Sequence, residues 1–175
     1  ALFRADTDDE LAVARNVGGR SSFRNVGRAR RQGLEASLDT ALSDHWQLQL
    51  AYTWLDAVFR DAYLVCSGAG CTAPSTPVAA GSRIPGVARQ QLSARMQWRD
   101  GPWSAAVESE GAGDVVVNDI ASESAPGYFL FHLEAAREWR RSSGTLRAFG
   151  RIDNLLDRGY IGSVIVNEGN GRFYE

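Results

Sequence analysis

Lysine is absent from this sequence, histidine and cysteine occur twice each, and methionine occurs once. Positive charge is carried by arginine alone, 19 residues against 21 acidic ones, for a formal net charge of -2. That balance gives no global basic field, so no nucleic-acid partner is expected. The exclusive use of arginine is read mainly as a coding bias, although arginine also keeps its charge at any relevant pH. No run of about 18 apolar residues exists, which excludes a transmembrane helix. No signal peptide opens the chain either: Ala1-Leu2-Phe3-Arg4 leads straight into a charged run. A mature exported chain or an internal fragment is expected to look like this.

Several kinds of chemistry are missing too. The sequence has no HExxH, no CxxC and no phosphate-binding loop. Gly68-Ala69-Gly70-Cys71-Thr72-Ala73 mimics a dinucleotide loop, but prolines follow it rather than a helix. His45 sits among turn residues, and His132 stands beside Glu134 on a polar parity, where a hydrogen-bonding role fits better than a catalytic one. No enzyme, cofactor or metal site is expected. The two cysteines, Cys66 and Cys71, lie in a segment rich in Gly, Ser, Pro and Thr. So close a pair fits a disulfide and an oxidising compartment, against two unpaired thiols in a cytosolic loop.

What the sequence has in abundance is alternation. From Trp46 to Trp54 the even positions read Trp, Leu, Leu, Tyr, Trp, and the odd ones Gln, Gln, Ala, Thr. A period of two marks a strand with one apolar face. The pattern recurs at Leu34–Leu38, Leu92–Trp98, Trp103–Val107, Phe129–Ala135 and Leu146–Ile152, with a less clear strand in the first ten or so residues. About seven strands are expected. Short turns at 42–45, 99–102 and 141–144 alternate with longer loops near 11–25, 60–83 and 118–127. Short turns at one end and long loops at the other describe an up-and-down antiparallel meander of an outer-membrane barrel.

A soluble sandwich would alternate as well, so the aromatic positions decide. Trp46, Trp98, Trp103 and Trp139 each lie within a few residues of a short turn and on the apolar parity. They are expected to form a girdle at the periplasmic interface of a bacterial outer membrane, with Trp54, Tyr52 and Phe129 in a second one. Seven strands cannot close, because open edges in lipid would leave backbone groups unpaired. The chain is therefore expected to be one region of a larger barrel, its last strand missing.

Three motifs then resemble a known family. Ile152-Asp153-Asn154-Leu155-Leu156-Asp157-Arg158-Gly159-Tyr160 resembles the NLFD…Y signature of TonB-dependent outer-membrane receptors, with Leu156 where Phe is usual. Asn25, Gly27, Gly33 and Glu35 resemble the family's N-x-G-x-x-x-x-x-G-x-E strand, and Ile84-Pro85-Gly86-Val87 resembles the start of a descending strand. The resemblance implies a barrel of 22 strands, of which this chain would be strands 15 to 21, without plug domain or TonB box. It implies uptake of a scarce ligand driven through the TonB complex, most often a ferric siderophore, with cobalamin, haem, copper complexes or sugars as further possibilities. Tyr63, Arg83, Arg172 and Tyr174 are its candidate ligand-contacting residues in extracellular loops. A passive porin and a barrel-type outer-membrane hydrolase are the competing readings, and both would do without a plug.

Cross-strand partners share a face, so Trp139 is expected opposite Leu146 across the last short turn. That register sets Glu138 opposite Arg147, Glu134 opposite Arg151 and His132 opposite Asp153, a ladder of opposite charges along the lumen.

Overall fold

The computed structural model describes residues 1–17, 19–66, 71 and 73–167. Its strands are β1 (Leu2–Thr7), β2 (Leu11–Val17), β3 (Arg20–Asn25), β4 (Ala29–Ala41), β5 (Trp46–Phe59), β6 (Tyr63–Val65) and β7 (Thr76–Val78). They continue with β8 (Gln90–Asp100), β9 (Trp103–Ala112), β10 (Val115–Val116), β11 (Ser124–Ala125), β12 (Tyr128–Arg141) and β13 (Gly144–Ile152). Seven of them form one antiparallel sheet in the order β1-β4-β5-β8-β9-β12-β13. The sheet is open, with β1 and β13 at its edges, and no helix occurs among the described residues.

The three short turns are where the turn residues place them. The longer connections differ from the expected loops, because each folds into its own hairpin: β2 with β3, β6 with β7, and β10 with β11. The first of these opens on four apolar residues, Leu11-Ala12-Val13-Ala14, which show no period of two, and its pairing shifts register between Val13 and Arg15.

Register assigns the faces. Trp46 pairs with Trp98, Trp98 with Ala105, and Ala105 with Ala135. Every residue of that parity shares one face, and it is the apolar one. Leu38, Trp46, Trp103, Val107, Leu146 and Ile152 all lie on it, and each is more than a third exposed. The sheet's apolar residues are therefore not its core. The core sits at the long-loop end, where Val26, Phe59, Val65 and Val78 pack together under Ala12, Tyr63 and Ile84.

Two glycines bring strands close beneath aromatic rings. Gly33 pairs with Phe3 and Gly111 with Phe129, and in each pair a Cβ on the glycine would strike the phenyl ring. The rings cover backbone that a bare glycine would leave to solvent or lipid, an arrangement that offsets glycine's weak strand propensity.

Candidate functional site

The polar face carries a belt of polar and charged side chains across six strands. Asp39 on β4 accepts from Gln47 Nε2 at 2.8 Å and Gln49 Nε2 at 3.1 Å, both on β5. Gln49 pairs with Arg95 on β8, and Arg95 pairs with Glu108 on β9 and bonds its carboxylate. Arg151 on β13 reaches the same carboxylate at 2.7 Å. Glu134 on β12 takes Arg147 at 3.0 Å, Arg95 at 3.5 Å and Arg151 at 3.9 Å. Two carboxylates thus hold three guanidinium groups, and each group donates to more than one strand or completes a neighbour's set. All are partly solvated, so each pair contributes about 0.2–1 kcal/mol and the belt acts mainly by fixing geometry. It borders a shallow concavity of about 410 Å³ beside Gln49, Ser93 and His132.

The last hairpin has the expected register: Glu134 opposite Arg151, Glu138 opposite Arg147 and Trp139 opposite Leu146. The ion pairs depart from it in one respect. Arg147 passes over Glu138 and pairs with Glu134, while Glu138 makes no ion pair among the described residues. Arginine is long enough to lean along the strand, so its register partner and its ion-pair partner need not be the same residue. His132 Nδ1 lies 3.0 Å from Asp153.

At the long-loop end the three hairpins form a cap tied by ion pairs, buried at Asp119 and solvated at Asp61 and Asp114. Arg24 donates to Asp119 at 2.6 Å, and Asp119 is 2% exposed. Arg31 grips Glu10 with both terminal nitrogens, at 2.7 and 3.0 Å. Arg28 grips Asp61, and Arg83 donates to Asp114 at 2.6 Å. The hydrogen bonds from these arginines hold the Glu10, Asp61 and Asp114 carboxyls below the usual carboxylate range. Asn167 stitches the cap from the far end of the chain. Its Nδ2 donates to the Val13 carbonyl at 2.6 Å, and its Oδ1 accepts from the Asp119 amide at 3.2 Å.

Of the ligand candidates, Tyr63 is built into this cap. Its ring meets Phe59 edge-on at 5.1 Å and lies under the Arg24 guanidinium at 5.2 Å. Its hydroxyl is buried without a hydrogen-bond partner, and burial beside Asp119 pushes its pKa up. Arg83 has its guanidinium engaged by Asp114 and is one-fifth exposed. Arg172 and Tyr174 lie outside the described residues. Cys66 and Cys71 are bonded, with Cα atoms 5.5 Å apart, beside the β6–β7 hairpin. Trp46, Trp98, Trp103 and Trp139 share the apolar face toward the short turns. Among the described residues no cluster of three or more ligating side chains could hold a metal ion.

Sequence reasoning missed Arg24, Asp119 and Asn167. Only Asn167 left a trace, as an Asn able to adopt the left-handed backbone it has here, at φ 53°. It also passed over Arg137, a charge on the apolar parity that a count of apolar residues skips.

The fold has clear counterparts. The siderophore receptor PiuA from Acinetobacter baumannii superposes with a TM-score of 0.71 at 18% identity, over 99% of this chain and 23% of PiuA. The ferric-catecholate import receptor Fiu from E. coli does so at 0.63 and 19% identity, over 99% of this chain and 22% of Fiu. The copper transporter OprC gives 0.62 at 17% identity, over 98% of this chain and 25% of OprC. The chain thus spans about a quarter of the length of these relatives. Over residues 1–155 it matches the family model described as TonB dependent receptor-like, beta-barrel. With an open seven-stranded wall, polar on one face and apolar on the other, the chain belongs to the TonB-dependent receptor β-barrel family of the Gram-negative outer membrane.

Proposed function

We propose that this chain is a wall segment of an energy-coupled outer-membrane importer, coupled through TonB, whose ligand is a ferric siderophore. The observation that carries this is the pairing of an inside-out sheet with a cross-linked polar face. Exposed leucine, tryptophan and phenylalanine suit lipid, and the Asp39–Arg151 belt suits a hydrated lumen able to seat a plug. The girdle assignment fits barrel geometry. Trp103 lies two positions closer to the turns than Ala105 on the Trp46 row, and Trp139 four closer than Ala135. Setting the four tryptophans at one height therefore needs a drift of four residues over three strand steps. With a rise of about 3.3 Å per residue and a spacing of about 4.8 Å, that is a tilt of roughly 40°, inside the range of closed barrels.

On this reading the short turns are periplasmic and the cap is extracellular. The Cys66–Cys71 bridge staples an outer loop. Arg83, Tyr63, Arg172 and Tyr174 belong to the loop region that meets ligand, Tyr63 by shaping the cap. The test is uptake by the full-length receptor. Cells lacking other iron receptors should grow on one member of a ferric catecholate and hydroxamate panel, and only with TonB present. Growth on copper complexes but no ferric ligand would replace the substrate. Uptake independent of TonB would refute the coupling.

A further inference from the structure

We propose that Arg137, held between Trp103 and Trp139, is a binding site for the phosphate of a membrane phospholipid. The proposal rests on the reading above that the apolar face meets lipid. Arg137 has the parity of that face, with Trp103 its partner on β9 and Ala148 its partner on β13. Over the eight positions inward of Trp46, Trp98, Trp103 and Trp139 on their strands, it is the one charged side chain on this face among the described residues, and Asp100, on its register row, lies on the turn side of Trp98.

A lone cation on a lipid face needs a local reason. The guanidinium carbon lies 4.6 Å from the Trp103 ring centroid and 4.9 Å from that of Trp139. Cation–π contact with two rings holds the plane of the group in place. Its Nε is buried with no hydrogen-bond partner. No carboxylate among the described residues comes within ion-pair distance, and Glu138, next in sequence, points to the opposite face. Stacking engages the guanidinium faces and leaves its edge. With Nε covered, the two terminal nitrogens form an end-on fork that matches two oxygens of a phosphodiester. Ala148, on the side away from Trp103, has no side chain long enough to close that edge off. Tryptophan pairs of this kind sit at headgroup depth, where such a phosphate lies.

The test uses the purified full-length receptor and native mass spectrometry after incubation with dioleoylphosphatidylglycerol. The variants are Arg137→Gln, Arg137→Lys and, as a polar-face control, Arg140→Gln, each checked for the heat-modifiable folded form. Arg137→Gln should lower the population carrying the tightest-bound lipid by about fivefold, the usual worth of one basic residue at a membrane surface. Arg137→Lys should fall between, and Arg140→Gln should match the wild type. Equal lipid retention in Arg137→Gln and Arg140→Gln would overturn the proposal. So would displacement of the lipid by inorganic phosphate at matched concentration, which would mark a simple anion site. A separate arm guards the underlying reading: vesicles with brominated acyl chains should quench the fluorescence component that Trp103→Phe removes. Failure of that quenching refutes the lipid-facing assignment, whereas quenching with unchanged lipid retention refutes the phosphate site alone.

Discussion

Placing an arginine at Leu50 and at Gln49 asks the same sheet two opposite questions. The positions are adjacent on β5, so backbone context and distance from either end are nearly identical. Leu50 lies midway between Trp46 and Trp54, flanked by Leu38 on β4 and Ala94 on β8. A guanidinium there would meet hydrocarbon with no acceptor in reach, at a cost of about 2–4 kcal/mol near the bilayer midplane. That is roughly 30- to 1000-fold in the folding equilibrium. Gln49 is flanked by Asp39 and Arg95. There the new charge gains one carboxylate and meets one guanidinium, effects that largely cancel, so the change should stay below about 1 kcal/mol. The assay is guanidinium unfolding of the full-length receptor in phosphocholine vesicles, read by loss of the heat-resistant form. Equal costs at both positions, or a larger cost at Gln49, would refute the assignment of faces.

Glu134→Gln removes the carboxylate shared by Arg95, Arg147 and Arg151 and should destabilise by about 1–2 kcal/mol, while Glu138→Gln should cost less than about 0.5 kcal/mol; unfolding midpoints separate the two. Non-reducing thiol labelling should find no reactive thiol at Cys66 or Cys71, and their joint replacement by Ser should leave global stability nearly unchanged, because so small a ring constrains only its own loop. Two labelled thiols would exclude the bridge. Glu10, Asp61 and Asp114 have lowered carboxyl pKa values through Arg31, Arg28 and Arg83, so their support of the cap is complete above the ordinary carboxylate pKa and is lost as pH falls through the lowered ones. Protection factors of the cap amides, taken against the intrinsic exchange rate at each pH, should therefore be flat from pH 7 to 5 and fall only below about pH 4; a fall near pH 6 would point to another group. Gly33→Ala should reduce assembly of the folded receptor, since the added Cβ meets the Trp54 carbonyl and the Phe3 ring, and unchanged yield would show that the pair is not close packed.

The wall was legible in the sequence because one physical rule governs it. With a period of two and lipid on one side, each strand declares its faces, and a short turn then fixes the register, as between Trp139 and Leu146. The cap was not legible. Its strands are two to seven residues long, and its stability comes from contacts such as Arg24 with Asp119, 95 residues apart, which no local pattern encodes. Side-chain reach was a second gap. Register set Arg147 opposite Glu138, but a flexible arginine can lean along its face to another carboxylate, here Glu134. Tyr63 illustrates a third. Composition alone cannot tell a tyrosine that meets ligand from one whose ring packs between Phe59 and Arg24.

The bond from Asn167 to Val13 joins residues 154 positions apart, whereas every neighbour pair in the wall is a hairpin or a short step along the chain. Loop-closure entropy must be met before so distant a contact returns anything, so local strand pairs form first and the longest-range contact last. The wall can zip strand by strand as each turn closes, but the cap needs both ends of the segment already in place. Pulse-labelled hydrogen exchange should accordingly find the Asn16 amide, which donates to Asn167, protected after the amides of β8 and β9. On that outcome the cap would serve as a late checkpoint on assembly, settling only on a wall whose strands are already paired.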